Sequence, residues 1–426
     1  MEKQLLLKKL EGKEAAVFFE KMYGKEGAKA NKERYLHVME GLEKAFGHKE
    51  MSLFSSAGRT EISGNHTDHN HGKVLAGSIN LDCVAAAAAN GTDEIHIISE
   101  TYNQKFTIQL SDLKPSERMA GTIDLTKGML AGFQEMGYEI GGFDAYITSN
   151  VISAAGVSSS ASYEMLICSM INTFFNGGSM DVVAYAHVGK YAENHYWNKA
   201  SGLLDQMACA VGGMITIDFK NPQEPVVEKI DYDFGAQDYS LIIVQTGKGH
   251  ADLSEEYSSI PQEMKKVAAV FGKEVLAEVS EEEVLADVKR VMKEAGDRPL
   301  LRALHFFEEN KRVEAEVAAL KENRFNDFLG LITESGNSSW KWLQNCYVGG
   351  SAEQGITAAL ALTELFIKEK GRGACRVHGG GFSGTIQAFV PLDLLDSFKE
   401  QMERMLGEGR CHVLSIRPEG GAVVWA

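Results

Sequence analysis

Proline is scarce in this 426-residue chain, at 7 against 43 glycines. So little proline excludes an extended proline-rich scaffold, and it assigns the glycines to tight turns and close backbone approaches rather than to disordered linkers. Uncharged apolar runs are short, and no segment reaches the roughly 18 residues that a membrane span needs. An excess of basic residues is also missing. With 43 Lys+Arg against 59 Asp+Glu the net charge is −16, which excludes the basic footprint of a nucleic-acid or anionic-membrane surface but not a small anionic ligand. The cysteines, Cys83, Cys168, Cys209, Cys346, Cys375 and Cys411, show no CxxC or Cys/His spacing and read as reduced thiols of a cytosolic protein. The opening segment has a short apolar run broken by Lys and Glu, with no cleavage-site pattern, so the protein is expected in the cytoplasm, with neither nucleic acid nor membrane as a partner.

The length suits two or three folded units, each with its own core. Apolar residues at helical spacing (Leu6, Leu10; Phe18, Met22; Tyr35, Val38, Met39, Leu42, Phe46) predict a helical N-terminal extension over residues 1–50, broken near Gly24 and Gly27. Strands are predicted at 95–98, 106–110, 143–147 and 214–217, with helices at 125–137, 158–175 and 181–196 between them. The polar run 221–237 is the best linker candidate, which places one domain at 51–235 and a second at 236–426. The second has a strand at 241–245, then helices, then strands at 386–390 and 413–416. The alanines at 85–89 read as a strand or helix packed closely on a neighbour. The fold class is α+β.

Three segments carry chemistry. Gly58-Arg59-Thr60-Glu61-Ile62-Ser63-Gly64-Asn65-His66-Thr67-Asp68-His69-Asn70-His71-Gly72 crowds a cation, carboxylates and imidazoles into what reads as a glycine-defined loop. It suits a surface hairpin, a metal site from His66, Asp68, His69 and His71, or a sugar- or phosphate-recognition loop. Asn150-Val151-Ile152-Ser153-Ala154-Ala155-Gly156-Val157-Ser158-Ser159-Ser160-Ala161-Ser162 follows a strand and opens a helix. Small residues feeding a helix N-terminus offer unpaired N–H groups, hydroxyls and the positive end of the dipole to a polyphosphate; a serine-rich cap without a ligand is the alternative. His378-Gly379-Gly380-Gly381 precedes a strand, and three consecutive glycines imply a backbone that approaches another segment or a ligand.

Taken in this order, the three segments resemble the galactokinase branch of the GHMP small-molecule kinases. The similarity runs from about Met51 to the end, through Ala192-Glu193-Asn194, Gly202-Leu203-Leu204-Asp205-Gln206 and Arg417-Pro418-Glu419-Gly420-Gly421-Ala422. The resemblance implies two α/β domains, an N-terminal S5-like one and a C-terminal ferredoxin-like one, with the active site between them. It also implies an ATP- and Mg²⁺-dependent sugar 1-kinase with ATP and a small galacto-configured sugar as its partners, and a monomer is expected. By the same resemblance Asp205 is the catalytic aspartate and Arg59 its partner, while Ser160 and Glu193 are Mg²⁺ ligands. Ala154, Ala155, Gly156, Val157, Ser158, Ser159 and Ser160 would cradle the phosphates, with Ser99 a further nucleotide contact. Asn65, His66, Thr67, Asp68, Gly202 and Tyr257 would hold the sugar.

The galactokinase signature reads Glu-His-Thr-Asp where this chain has Asn65-His66-Thr67-Asp68. An amide both donates and accepts, whereas a glutamate would repel a C6 carboxylate by about 4 kcal/mol at 4 Å in a medium of effective dielectric near 20. A galacturonate kinase is therefore the alternative to a galactose kinase. A non-catalytic sugar- and ATP-sensing regulator is a further one, opposed by the intact Val157-Ser158-Ser159-Ser160-Ala161 run. Ile152 and Ala154 stand where the family usually has Pro and Gly.

Overall fold

The structure, a computed structural model, describes residues 1–152, 156–199, 201–247 and 253–426. Helices α1 (Lys3–Glu11) and α2 (Lys13–Phe46) precede two long strands, β1 (Ser52–Ser63) and β2 (Lys73–Ala89). A hairpin of β3 (Glu94–Ser99) and β4 (Gln104–Gln109) leads through α3 (Gly121–Glu135) to β5 (Phe143–Ser149). Then come α4 (Ser159–Phe175), α5 (Val182–Tyr196), α6 (Leu204–Val211), β6 (Met214–Asp218) and β7 (Val226–Ile230). The later half runs from β8 (Tyr239–Gln245) through α7 (Ser254–Val270), α8 (Glu281–Ala286), α9 (Val288–Glu294), α10 (Asp297–Lys321), α11 (Phe325–Ser338) and α12 (Gly355–Lys370). It ends with β9 (Ala374–His378), β10 (Thr385–Pro391), α13 (Leu395–Leu406), β11 (Cys411–Leu414) and β12 (Ala422–Trp425).

These strands form two sheets, as an α+β fold requires. The first has the order β12-β1-β2-β5-β3-β4, with β6 added to β2 and β7 to β6; the second has the order β11-β8-β10-β9. Apart from the parallel β3–β5 pair, neighbours run antiparallel. The alanine run is the end of β2, and its small side chains let helices close on both faces. Val84, Ala86 and Ala88 pack with Phe19, Tyr35, Met39 and Leu42 of α2, whereas Ala85 and Ala87 join the core beneath α3 and α4. Each large apolar side chain buried under α2 contributes roughly 1.5–3 kcal/mol, so residues 1–50 are helical as expected and also cover one face of the sheet. The break expected near Gly24 and Gly27 is a kink at Gly24, where φ is 71°.

The sequence reading needs several corrections. Residues 58–63 are not loop but strand, because β1 is buried along its whole length and shows no alternation of apolar and polar positions to reveal it. Most of β2 and all of β9 went unpredicted for the same reason. The proposed linker 221–237 contains β7, an edge strand whose Glu228 and Lys229 point to solvent. The last strand, β12, lies beyond residue 236 yet pairs with β1 in the first sheet. Arg417, just upstream, ties that return with a 2.7 Å ion pair to buried Asp82, which also takes Arg34 of α2 at 2.7 Å and the Ser55 hydroxyl at 2.6 Å.

Candidate active site

Arg59 leaves β1 towards the start of α6. Its Nε donates to Asp205 Oδ1 at 2.8 Å and its Nη2 lies 2.6 Å from the same oxygen, while Nη1 donates to the Gly156 carbonyl. The Arg59 N–H donates to the Val157 carbonyl at 3.1 Å. A Cβ at Gly58 would come within 2.8 Å of that oxygen, so glycine is required for the loop to lie on the strand. Ser158 holds φ at 56° and makes no helix-capping bond. Its hydroxyl donates instead to Asp205 Oδ2 at 2.6 Å. Backbone held in the left-handed region by a non-glycine residue is characteristic of functional sites. Burial pushes the Asp205 carboxyl up, but the charges of Arg59 and Lys199 and the Ser158 and Arg59 hydrogen bonds outweigh it and hold the group below the usual carboxylate range. Asp205 also sits in the first turn of α6, at the positive end of the helix. It is therefore an ionised acceptor at neutral pH, 28% exposed at its side chain.

Behind it lies a second carboxylate, Glu193 of α5, fully buried. Ser160 Oγ donates to its Oε1 at 3.0 Å and Lys199 Nζ lies 2.6 Å from the same oxygen, while Ser201 Oγ and Gln206 Nε2 serve Oε2, the latter at 3.2 Å. Gln206 also donates to Glu164 Oε2 at 3.0 Å. Burial, reinforced by the charge of Glu193, pushes the Glu164 carboxyl well up. Ser160 and Glu193 present only hard oxygen donors, and an ammonium already rests on Glu193; the chemistry of this donor set fits Mg²⁺.

A cavity of about 530 Å³ opens beside Arg59 and Asp205. His66 and Asp68 line it, together with Glu61, Lys199, Gly202 and Tyr257. Asp68 lies so close to Gly202 that a Cβ there would overlap its carboxylate. Burial lowers the His66 pKa to about 4, so the ring is neutral and its Nε2–H donates to the Gly380 carbonyl at 2.8 Å. The triple glycine binds the two halves of the site together through its carbonyls. Gly379 O accepts from Asn65 Nδ2 at 2.8 Å and Gly381 O from the Tyr257 hydroxyl at 3.1 Å. Side chains at Gly380 or Gly381 would strike Tyr257 or Asn345.

Asn65 and Thr67 do not take the places expected of them. Asn65 is fully buried, and its amide is committed to protein partners. Nδ2 donates to Glu61 Oε1 at 2.7 Å as well as to Gly379, and Oδ1 accepts from Asn345 Nδ2 at 2.7 Å and from Ser339 at 3.3 Å. Thr67 is also buried, its hydroxyl pinning the turn through the Gly64 and Lys73 carbonyls at 2.9 and 2.7 Å. The side chain that faces the cavity is Glu61, which removes the basis for matching Asn65 to a C6 carboxylate. Burial, only partly offset by Arg376, Arg59 and Asn65, pushes the Glu61 carboxyl up to about 7.

Of the remaining expected residues, Ala154 and Ala155 lie outside the described residues. Gly156, Val157 and Ser158 lead into α4 and Ser159 and Ser160 open it, beside Arg59. Ser99, at the end of β3 next to Ile147 of β5, is not part of the cavity wall. His66 and His69 stack at 6.4 Å, but among the described residues no group of three or more His, Cys, Asp or Glu side chains is gathered to hold a metal. Sequence reasoning missed Glu61, Lys199, Ser201 and Gln206 as site residues. Lys199, Ser201 and Gln206 flank the Gly202–Asp205 motif, a signal that could have found them; Glu61 lay two residues from Arg59 on a strand mistaken for loop.

Residues 40–89 match the family described as galactokinase galactose-binding signature, and residues 124–213 match the GHMP kinases N terminal domain. A galactokinase of Clostridium tetani is 30% identical over 369 residues, which cover 84% of this chain and 89% of that protein. One of Pyrococcus furiosus is 30% identical over 344 residues, 79% and 88% of the two chains. Among solved structures, Lactococcus lactis galactokinase complexed with galactose shares the fold at a TM-score of 0.78 and 24% identity, covering 91% of this chain and 99% of that one. A mevalonate kinase does so at a TM-score of 0.60 and 16% identity, with 86% and 99% covered. No helix among the described residues is long and apolar enough to cross a membrane.

Proposed function

The chain belongs to the galactokinase family of GHMP kinases, and we propose from this that it transfers the γ-phosphoryl group of ATP to the anomeric hydroxyl of galactose or a close galacto-configured sugar. The observation that carries the reading is Asp205, ionised between Arg59 and Ser158 and open to a cavity lined by His66, Asp68 and Tyr257. In that position Asp205 accepts a hydrogen bond from the attacking hydroxyl. As its oxygen bonds to the γ-phosphorus and the bond to the ADP oxygen breaks, the hydroxyl proton passes to the Asp205 carboxylate. Arg59, fixed by Asp205 and the Gly156 carbonyl, presents a preorganised cation to the charge that develops. The Gly156–Ser160 backbone and the N-terminus of α4 orient the phosphates.

Ser160 and Glu193 would hold Mg²⁺, which when bound neutralises phosphate charge. On the acceptor side Asp68 receives ring hydroxyls, and Glu61, braced by Asn65, supplies a further acceptor. Once Glu61 ionises, above about pH 7, a carboxylate in that wall disfavours a uronic acid, so galacturonate is not the favoured substrate there. The test is ADP release from Mg²⁺-ATP with a panel of hexoses and uronic acids, with the phosphorylated carbon identified by NMR. Galactose 1-phosphate is the expected product; sugar binding without turnover across the panel would overturn the kinase reading in favour of a sensor.

A further inference from the structure

Beyond the contact of Asp68 with Gly202 the acceptor cavity continues into a second chamber of about 630 Å³. The two spaces share Asp68, His69, Lys199, Ser201 and Gly202 as walls. The far side of the chamber carries two cations, Lys190 from α5 and Lys265 from α7, beside the His71 ring from the turn after Asp68. Among the described residues neither lysine side chain makes an ion pair or hydrogen bond, although acidic residues outnumber basic ones across the chain. Their proximity also registers on His71, whose pKa is lowered by burial and then by Lys265 and Lys190, against a smaller opposing pull from Glu278. Asn194 adds a neutral donor. Its Oδ1 accepts from the Ser201 N–H at 2.9 Å, which leaves its NH₂ free to donate. Two ammonium groups with no partner among the described residues and an amide NH₂ around a concave space, opening off the proposed acceptor cavity, match a tetrahedral oxyanion.

We propose that this chamber is an oxyanion subsite of the acceptor cavity, which takes the phosphate or sulfate group of an esterified galacto-configured sugar. The inference rests on the sugar-kinase reading of the adjoining cavity. It is tested with the full chain and a Lys190→Gln/Lys265→Gln variant, assayed with Mg²⁺-ATP on galactose, galactose 6-phosphate and galactose 6-sulfate. Both proteins are also titrated with the three sugars and with inorganic phosphate.

The expected result is a kcat/KM for the esters about tenfold or more above that for galactose in the wild type, with that ratio collapsing in the variant. Phosphate binding that the variant loses, without any preference among the sugars, keeps the subsite but assigns it to a free anion. Equal ratios and equal phosphate binding in the two proteins would overturn the proposal, as would a variant whose only defect is a raised KM for ATP. If the sugars bind but none is phosphorylated, the kinase reading fails, while the binding ratio of ester to galactose in the two proteins still decides the subsite.

Discussion

Replacing Glu61 by Gln separates the two roles that the structure gives its carboxyl. Gln retains the oxygen that accepts from Asn65 but never ionises, so it stands in for the protonated acid. Moving the carboxyl from its ordinary 4.5 to about 7 means that ionising it in place costs about 3 kcal/mol, at 1.36 kcal/mol per pH unit. The folded-state value lies above the unfolded one. The penalty is therefore absent below about pH 4.5, grows as pH rises, and is complete above about pH 7. Glu61→Gln should match the wild type in stability near pH 4.5 and exceed it by up to about 3 kcal/mol at pH 8, as read by urea denaturation at the two pH values. Function should move the other way. A carboxylate accepts a hydroxyl more strongly than an amide by about 1–1.5 kcal/mol, so the KM for galactose at pH 8 should rise about tenfold. The wild-type KM should fall as pH rises through 7, whereas that of the variant should stay flat with respect to this group. A variant no more stable than the wild type at pH 8 would refute the burial argument, and an unchanged KM would remove Glu61 from the sugar's surroundings.

Asp205→Asn keeps the size and an oxygen that accepts from Arg59, with Ser158 now accepting from the amide, but removes the proton acceptor; kcat should fall about 10²–10⁴-fold while sugar and ATP affinities, measured by titration, stay within a few-fold. Asn65→Glu would bury a second carboxylate against Glu61, where like charges at 4 Å repel by about 4 kcal/mol at an effective dielectric of 20. The variant should lose several kcal/mol of stability in a denaturant melt, without gaining preference for galactose over galacturonate. Gly202→Ala should push the Asp68 carboxylate out of place and lower kcat/KM for galactose about 10–100-fold, with the KM for ATP little changed in steady-state assays.

Much of this site could be read along the chain. Arg59, Asp205, Ser160 and Glu193 come from four different segments, and the resemblance of the surrounding motifs to the family singled them out, whereas Glu193 and Asp205 taken alone read as an ordinary helix-surface residue and a helix cap. Helices α3, α4 and α5 were equally legible from the spacing of their apolar residues, whereas the short α6 was not. Strands covered on both faces carry no such period, which is why β1, most of β2 and β9 escaped notice.

Asn65 and Glu61 mark the boundary between the two kinds of information. The sequence by itself determined the family and the α+β class, because these depend on residue types in short motifs. Which of two neighbouring polar side chains lines the cavity was decided only by tertiary structure. The triple-glycine carbonyls, Asn345 and Ser339 arrive from residues about 270 to 315 positions away and satisfy the Asn65 amide completely. Buried polar groups must find partners, and once the amide has done so in the protein the carboxylate beside it is the group left to face the cavity.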